Sequence, residues 1–204
     1  MLILASASPR RQELLRNAGI PFSVQPANVA EEHRPGETPE MCVRRLAREK
    51  AQAVAELAKP EHPVLAADTE VVLDLASGIP LGKPRDADDA ARMLRLLGGR
   101  SHYVITGVCL MWKNASGNLE WKEDAETTAV HMKNISDQEI ADYVATGEPM
   151  DKAGAYAIQG IASRWIPRIE GCYFNVVGLP VPLVYRMLRE HALEVVARLE
   201  NTTI

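Results

Sequence analysis

Val64-Leu65-Ala66-Ala67-Asp68-Thr69-Glu70-Val71-Val72-Leu73 reads as a β-strand with acids in the middle of it. An ionised carboxylate inside an apolar strand costs several kcal/mol unless it is paired or bound to a metal. Strand alternation puts Asp68 and Glu70 on one face and Thr69 on the other. Two acids projecting from a sheet suit Mg²⁺ or Mn²⁺, which prefer oxygen ligands. The plainer alternative is an exposed strand end with both acids solvated.

Working outward, Leu2 to Ala5 is a short strand, and Ser8-Pro9 opens a helix that runs to about Ala18 and stops at Gly19 and Pro21. Phe22 to Gln25 is a short strand, and residues 26–38, polar and rich in Pro and Glu, form a loop. Pro39 to about Ala58 is a long amphipathic helix, and Asp86 to Leu97 is a helix closed by Gly98-Gly99. His102 to Trp112 is a strand followed by a hairpin turn at Asn114 to Asn118. Leu119 to Trp121 and Thr127 to Met132 read as further strands, and Ser136 caps a helix that runs to about Thr146. Ile166 to Ile169 and Phe174 to Val177 read as short strands, and Val181 to about Arg198 as a final helix. Strands and helices interleaved around a central hairpin predict an α/β fold with a mixed sheet.

The chain has 204 residues, which suits one domain or two small lobes and is enough for a sizeable core. Hydrophobic residues at 47% and charged residues at 25% exclude disordered, collagenous and low-complexity classes. A net charge of −4 disfavours a general nucleic-acid binder, and aromatics at 5% argue against a base-stacking platform. The cysteines, Cys42, Cys109 and Cys172, are odd in number and not closely spaced, which gives neither a disulfide framework nor a zinc knuckle. The opening MLILASASPRR is too short in apolar residues for a secretory signal, and its charges follow that stretch instead of preceding it. No window is apolar enough for a membrane span, so the expected place is the cytoplasm.

Further residues break the folding pattern. Arg10 and Arg11 fall in the first turn of a helix, where the dipole disfavours cations and favours anions. With Ser8 and the free N–H groups they would make a phosphate site. In the helix from Pro39, the apolar stripe is Val43, Leu46, Ala47, Val54 and Leu57, and Lys50 falls in the middle of it. A lysine there needs an anionic partner or must reach out to solvent. The block Glu148 to Gly160 is rich in small residues that let backbone approach a ligand, with Lys152 supplying charge and Gln159 an amide able to read a base edge. Gly82-Lys83-Pro84 adds another lysine at a turn but is not a Walker A pattern. Cations at Arg10, Arg11, Lys50, Lys83 and Lys152, set against Asp68, Glu70 and the acids at 31 and 32, describe a triphosphate with a divalent metal. Cys172 has no nearby His to activate it, so no nucleophilic thiol is expected.

These residues resemble the Maf family of nucleoside triphosphate pyrophosphatases. The resemblance runs from Leu4 to about Leu188 through Ser6-Ala7-Ser8-Pro9-Arg10-Arg11, Arg45-Leu46-Ala47 with Lys50-Ala51, Ala67-Asp68-Thr69, Gly82-Lys83-Pro84, Thr106-Gly107, Glu148 to Gly160 and Val177-Gly178-Leu179-Pro180. It implies a mixed twisted sheet with helices, residues 1–204 forming two lobes around a central cleft, as in inosine triphosphate pyrophosphatases, and a homodimer. It also implies metal-assisted hydrolysis of a nucleoside triphosphate to the monophosphate and diphosphate. Asp68 takes the role of proton acceptor, Glu31 that of a metal or water ligand, and Lys50 a place in the catalytic group. Arg10, Thr69 and Gln159 match the family's specificity positions. Arg followed by Arg, with Asp-Thr, resembles the branch acting on dTTP and UTP, as against the 7-methyl-GTP branch or a nucleotide-binding regulator of septum formation. Glu70 stands where that family mostly has an aliphatic residue, and the resemblance assigns it no role.

Overall fold

The computed structural model describes residues 1–59, 62–75, 78, 80–114 and 116–191. Its centre is β3 (Val64–Val72), and every residue of it pairs antiparallel with β5 (Ser101–Lys113). On its other edge β3 has two partners. The parallel strand β1 (Leu2–Leu4) covers its start through Leu65, and antiparallel β4 (Pro80–Leu81) covers its end from Val71. Between them, from Ala66 to Glu70, no described strand lies against that edge. The sheet is completed by β2 (Phe22–Val24), β6 (Leu119–His131) and β7 (Arg168–Glu170), in the order β2-β1-β3-β5-β6-β7. It is a mixed α/β sheet, as the sequence predicts. β7 covers β6 only at Ala129–His131, so the outer edge of β6 from Leu119 onward has no described strand partner.

Alternation along β3 sorts its side chains. Val64 and Ala66 pack on one face against Ala47, Ala51 and Val54 of α2 (Pro39–Ala55), with Asp68 and Glu70 following on that same face. On the opposite face, Leu65 and Ala67 join a core with Leu14 and Leu15 of α1 (Pro9–Asn17) and Leu183 and Met187 of α6 (Val181–His191). Further along that face, Val71 joins a second core with Met93 and Leu94 of α3 (Ala87–Leu97) and Ile140 and Tyr143 of α4 (Asp137–Ala145). Thr69 and Thr106 sit between these two cores, with their hydroxyl oxygens 2.9 Å apart. A polar break thus separates the two halves of that face.

Several local expectations are corrected. Residues 119 to 132 do not form two strands: β6 is one strand of 13 residues paired along its whole length with β5. Phe174 to Val177 lies in a short helix, α5 (Tyr173–Val177). The strand preference of its valines is overridden by the buried Asn175, whose amide donates to Val104 O and to Thr128 Oγ1, both at 2.9 Å. α2 ends at Ala55, and Leu57, expected in its apolar stripe, is 79% exposed. The strand expected at Ile166 is displaced to Arg168–Glu170. The final helix is described to His191; its expected continuation to Arg198 lies outside the described residues. The Glu148–Gly160 block folds as short 3₁₀ turns, Glu148–Asp151 and Ala153–Ala155, with a third following at Ile161–Trp165.

The seating of α2 on the sheet depends on one missing methyl group. Gly107 lies opposite Asp68 in the β3–β5 ladder, and a Cβ there would come within 2.3 Å of the Val43 carbonyl oxygen in α2. A backbone carbonyl cannot swing away as a side chain can, so Gly107→Ala must lift the helix. The expected cost is about 1–3 kcal/mol, read as a lower urea midpoint. A change below about 0.5 kcal/mol would mean that the helix has room to spare.

Candidate active site

Around the uncovered edge of β3 both faces of the sheet open into one cavity of about 420 Å³. Ten of the residues singled out by the sequence line it, Ser8, Arg10, Arg11, Glu31, Lys50, Asp68, Thr69, Lys83, Lys152 and Gln159, whereas Glu32 and Glu70, set with them among the acids, do not. The gap between β1 and β4 makes this possible, because Asp68 and Thr69 point to opposite faces and a covering strand would separate them.

On the α2 face, Lys50 is 7% exposed, as its place in the apolar stripe requires. Its ammonium donates to Asp68 Oδ1 at 2.6 Å and to Glu31 Oε1. The loop between β2 and α2 carries Glu31 to this point. Burial works to raise the Glu31 carboxyl, but the hydrogen bond from Lys50 and the charges of Lys50, Lys83 and Arg11 hold it below its ordinary range. Glu32 does not share this position; its carbonyl accepts from Arg45 Nη2 at 2.8 Å.

On the other face, Ser8 caps α1, accepting from the Arg11 N–H at 3.4 Å. The two arginines behave differently. Arg11 folds inward: Nε donates to Gly178 O at 2.8 Å, Nη1 to Ser6 Oγ at 3.2 Å and Nη2 to Thr69 Oγ1 at 3.0 Å. Burial lowers its pKa, partly offset by the charges of Asp68 and Glu31. It braces the start of α1 against β3 and the end of α5, and each of its Nη atoms keeps one further N–H. Arg10 reaches across the cavity mouth to Asp151 Oδ2 at 3.1 Å. Asp151 also accepts from Lys152 Nζ at 2.5 Å, and these two cations hold its carboxyl below the ordinary range against the effect of burial.

The opposite wall is held by backbone contacts. Gly154 N donates to Gly82 O at 3.1 Å, which sets the Lys152 segment beside the exposed Lys83. Glu148 fastens the turn after Gln159, accepting from Tyr143 Oη at 2.9 Å and from Ile161 N at 3.2 Å. A Cβ at Gly160 would lie 2.1 Å from that carboxylate, so glycine is needed for this clasp. Gln159 is left exposed at the rim. Sequence reasoning gave no part to Ser6, Asp151 or Gly178. All three sit inside quoted motifs, but an acceptor for an arginine carries no residue signature of its own.

Fold and cleft together define an α/β protein with a cationic cavity that also bears three carboxylates, Glu31, Asp68 and Asp151. The chain belongs to the Maf-like protein family, which it matches over residues 1–191. It is 59% identical over 189 residues to the dTTP/UTP pyrophosphatase of Koribacter versatilis (strain Ellin345), covering 92% of this chain and 93% of that one. With the dTTP/UTP pyrophosphatase of Syntrophomonas wolfei subsp. wolfei it shares 51% identity over 186 residues, 91% of this chain and 94% of that one. Among solved structures, the Staphylococcus aureus Ham1 protein aligns with a TM-score of 0.46 and 16% identity, over 65% of this chain and 72% of that one. No helix among the described residues is long and apolar enough to cross a membrane.

Replacing Lys50 by Met keeps the helix stripe filled but leaves two carboxylates facing one another. At pH 7 this should cost about 3–5 kcal/mol of stability, the range for stripping one partner from a buried ion pair. In the wild type the lowered Glu31 pKa gives stability that is present above its unfolded value and lost on acidification. In the variant, protonating either carboxylate relieves the repulsion. The stability gap between the two proteins should therefore narrow from pH 7 to pH 4 in paired urea titrations. A gap independent of pH would contradict this account of the site.

Proposed function

We propose that this protein hydrolyses dTTP and UTP to the nucleoside monophosphate and diphosphate. The observation that carries the reading is the meeting of Lys50, Glu31 and Asp68 in the same cavity as Arg10, Arg11, Lys83 and Lys152. The names of the Koribacter and Syntrophomonas relatives support the same chemistry and substrate pair.

In this reading the triphosphate lies at the N-terminus of α1, where the Ser8 hydroxyl, the Arg10 N–H and the remaining Arg11 donors donate to its anionic oxygens. Lys83 and Lys152 take the outer phosphates. Asp68 removes a proton from a water molecule, whose oxygen attacks the phosphorus next to the nucleoside. The bond from that phosphorus to its bridging oxygen breaks, and diphosphate leaves with its growing charge held by the lysines and arginines. Lys50 orients Asp68 and Glu31 so that their carboxylates converge. Two carboxylates converging on one cationic point form an all-oxygen acceptor set that fits Mg²⁺ or Mn²⁺. Asp68 and Glu31 would hold that ion, which when bound neutralises charge on the phosphate oxygens. Thr69, Arg10 and Gln159 line the part of the cavity that receives the nucleoside, and the Gln159 amide can both donate to and accept from a pyrimidine edge.

The reading takes residues 1–204 as one domain of two lobes, acting as a homodimer in the cytoplasm. The adjoining Tyr173 and Phe174, 40% and 41% exposed, support a self-association surface beside the cavity wall. Light scattering that returns the mass of a single chain would remove the dimer from this picture.

The test of the activity is a nucleotide panel with Mg²⁺ or Mn²⁺, reading diphosphate release. dTTP and UTP should be turned over ahead of 7-methyl-GTP, and Asp68→Asn should lower turnover by about 10²-fold or more at unchanged fold. Full activity in Asp68→Asn would sink the assignment of the base. Binding of dTTP without turnover would favour a nucleotide-sensing role instead.

A further inference from the structure

Glu70, one alternation step beyond Asp68, has a setting of its own. It is 8% exposed on the α2 face of β3. Its Oε1 lies 2.9 Å from His33 Nε2, in the same loop as Glu31. Its Oε2 is buried and has no hydrogen-bond partner. Cys42, fully buried in the first turn of α2, brings Sγ to 3.9 Å from the same His33 nitrogen. One ligand atom from each of the three residues lies within 4.8 Å of the others. Around a tetrahedral ion with bonds of about 2.0–2.3 Å, ligand atoms stand roughly 3.3–3.8 Å apart, so shifts of a few tenths of an ångström to about 1 Å would complete the set.

We propose that His33, Cys42 and Glu70 form a second cation site, separate from the Asp68–Glu31 pair, for a borderline ion such as Zn²⁺. A buried carboxylate with a bare oxygen beside a buried thiol is a polar cluster left partly unsatisfied. An ion bound to all three groups removes that deficit. The donor set of imidazole nitrogen, sulfur and one carboxylate selects Zn²⁺ or Co²⁺ over Mg²⁺, which wants oxygen alone. On binding, a metal–sulfur bond replaces the Cys42 S–H bond, and the proton leaves to solvent. His33 coordinates as neutral imidazole and Glu70 as carboxylate. Burial and the charge of Glu70 push the Cys42 thiol up, so the ion has to displace its proton; Arg45 Nη2, 3.6 Å from the sulfur, works in the opposite direction, with its own charge balanced by Glu37 and Glu49. The half-exposed His33 ring marks the route of entry and leaves a fourth position to water.

The three ligands come from the loop, α2 and β3. The ion would therefore clamp the loop that carries Glu31 onto the two elements that carry Lys50 and Asp68. The site stands whether or not the proposed hydrolysis does, because it uses none of the groups assigned to that reaction.

The test uses the full chain, stripped of metal and kept reduced without thiol reagents, titrated with Co²⁺. One equivalent should produce a sulfur-to-cobalt charge-transfer band in the near ultraviolet, with visible bands of four-coordinate intensity, and Zn²⁺ should displace it. An oxygen-only site cannot give that band. Cys42→Ser should abolish it. His33→Gln, at a half-exposed position that carries little folding risk, should weaken binding by at least about 10-fold. A wild type without the band, a band that survives Cys42→Ser, or an unchanged affinity in His33→Gln overturns the proposal.

Discussion

The contact between the Lys50 ammonium and the Asp68 carboxylate constrains everything around it. Both groups are almost wholly buried, and neither could remain charged there alone. Their meeting fixes how far α2 can rotate or slide on the sheet. Gly107 sets how close the helix comes, since it is the ladder partner of Asp68 and lies under the Val43 carbonyl. Glu31 completes the arrangement from a loop with no regular structure of its own. A helix, a strand and a loop are thus located by one ammonium group.

The uncovered stretch of β3 gives that pair a use. Had β1 extended further or β4 begun earlier, Asp68 would have been sealed beneath a continuous sheet. Instead β1 ends at Leu4, opposite Leu65, and β4 pairs with β3 only from Val71 onward, so the carboxylate is reached around the strand's edge while its backbone remains anchored by β5. Arg11 does the corresponding work on the opposite face. It joins α1, β3 and the end of α5 through three separate acceptors, which keeps the helix N-terminus at a fixed distance from Thr69.

Much of this was legible in the residues because it violates a folding rule. A lysine in an apolar stripe, an aspartate in an apolar strand and two arginines at a helix start each demand a partner, and all of them do line the same cavity. Helices with side-chain caps were equally plain, with Ser8 and Ser136 both found at N-caps, while Asp86, read as the first helical residue, proves to be a cap as well. What could not be read depends on contacts distant in sequence. Asn175 turns a valine-rich segment into a helix by bonding to β5 and β6. β6 runs unbroken through Lys122-Glu123-Asp124 because β5 templates it, where local composition suggests an interruption. Of the His33–Cys42–Glu70 cluster only Glu70 stood out, as an acid in an apolar strand; its members are separated by 9 and 28 positions, and neither His33 nor Cys42 is unusual by itself.

The outer edge of β6, which no described strand covers from Leu119 to Thr128, bears on how the protein behaves at high concentration. A long strand with free N–H and C=O groups is a template for joining sheets between molecules. Here the strand that offers them reads Leu119-Glu120-Trp121-Lys122-Glu123-Asp124-Ala125-Glu126, four carboxylates against one lysine. Glu123 is already paired with Arg48, and Asp124 with Arg44 and Arg186, so Glu120 and Glu126 are the acids that a second copy laid alongside would set like against like. Charge on the exposed edge of this strand thus works against the joining of sheets between molecules.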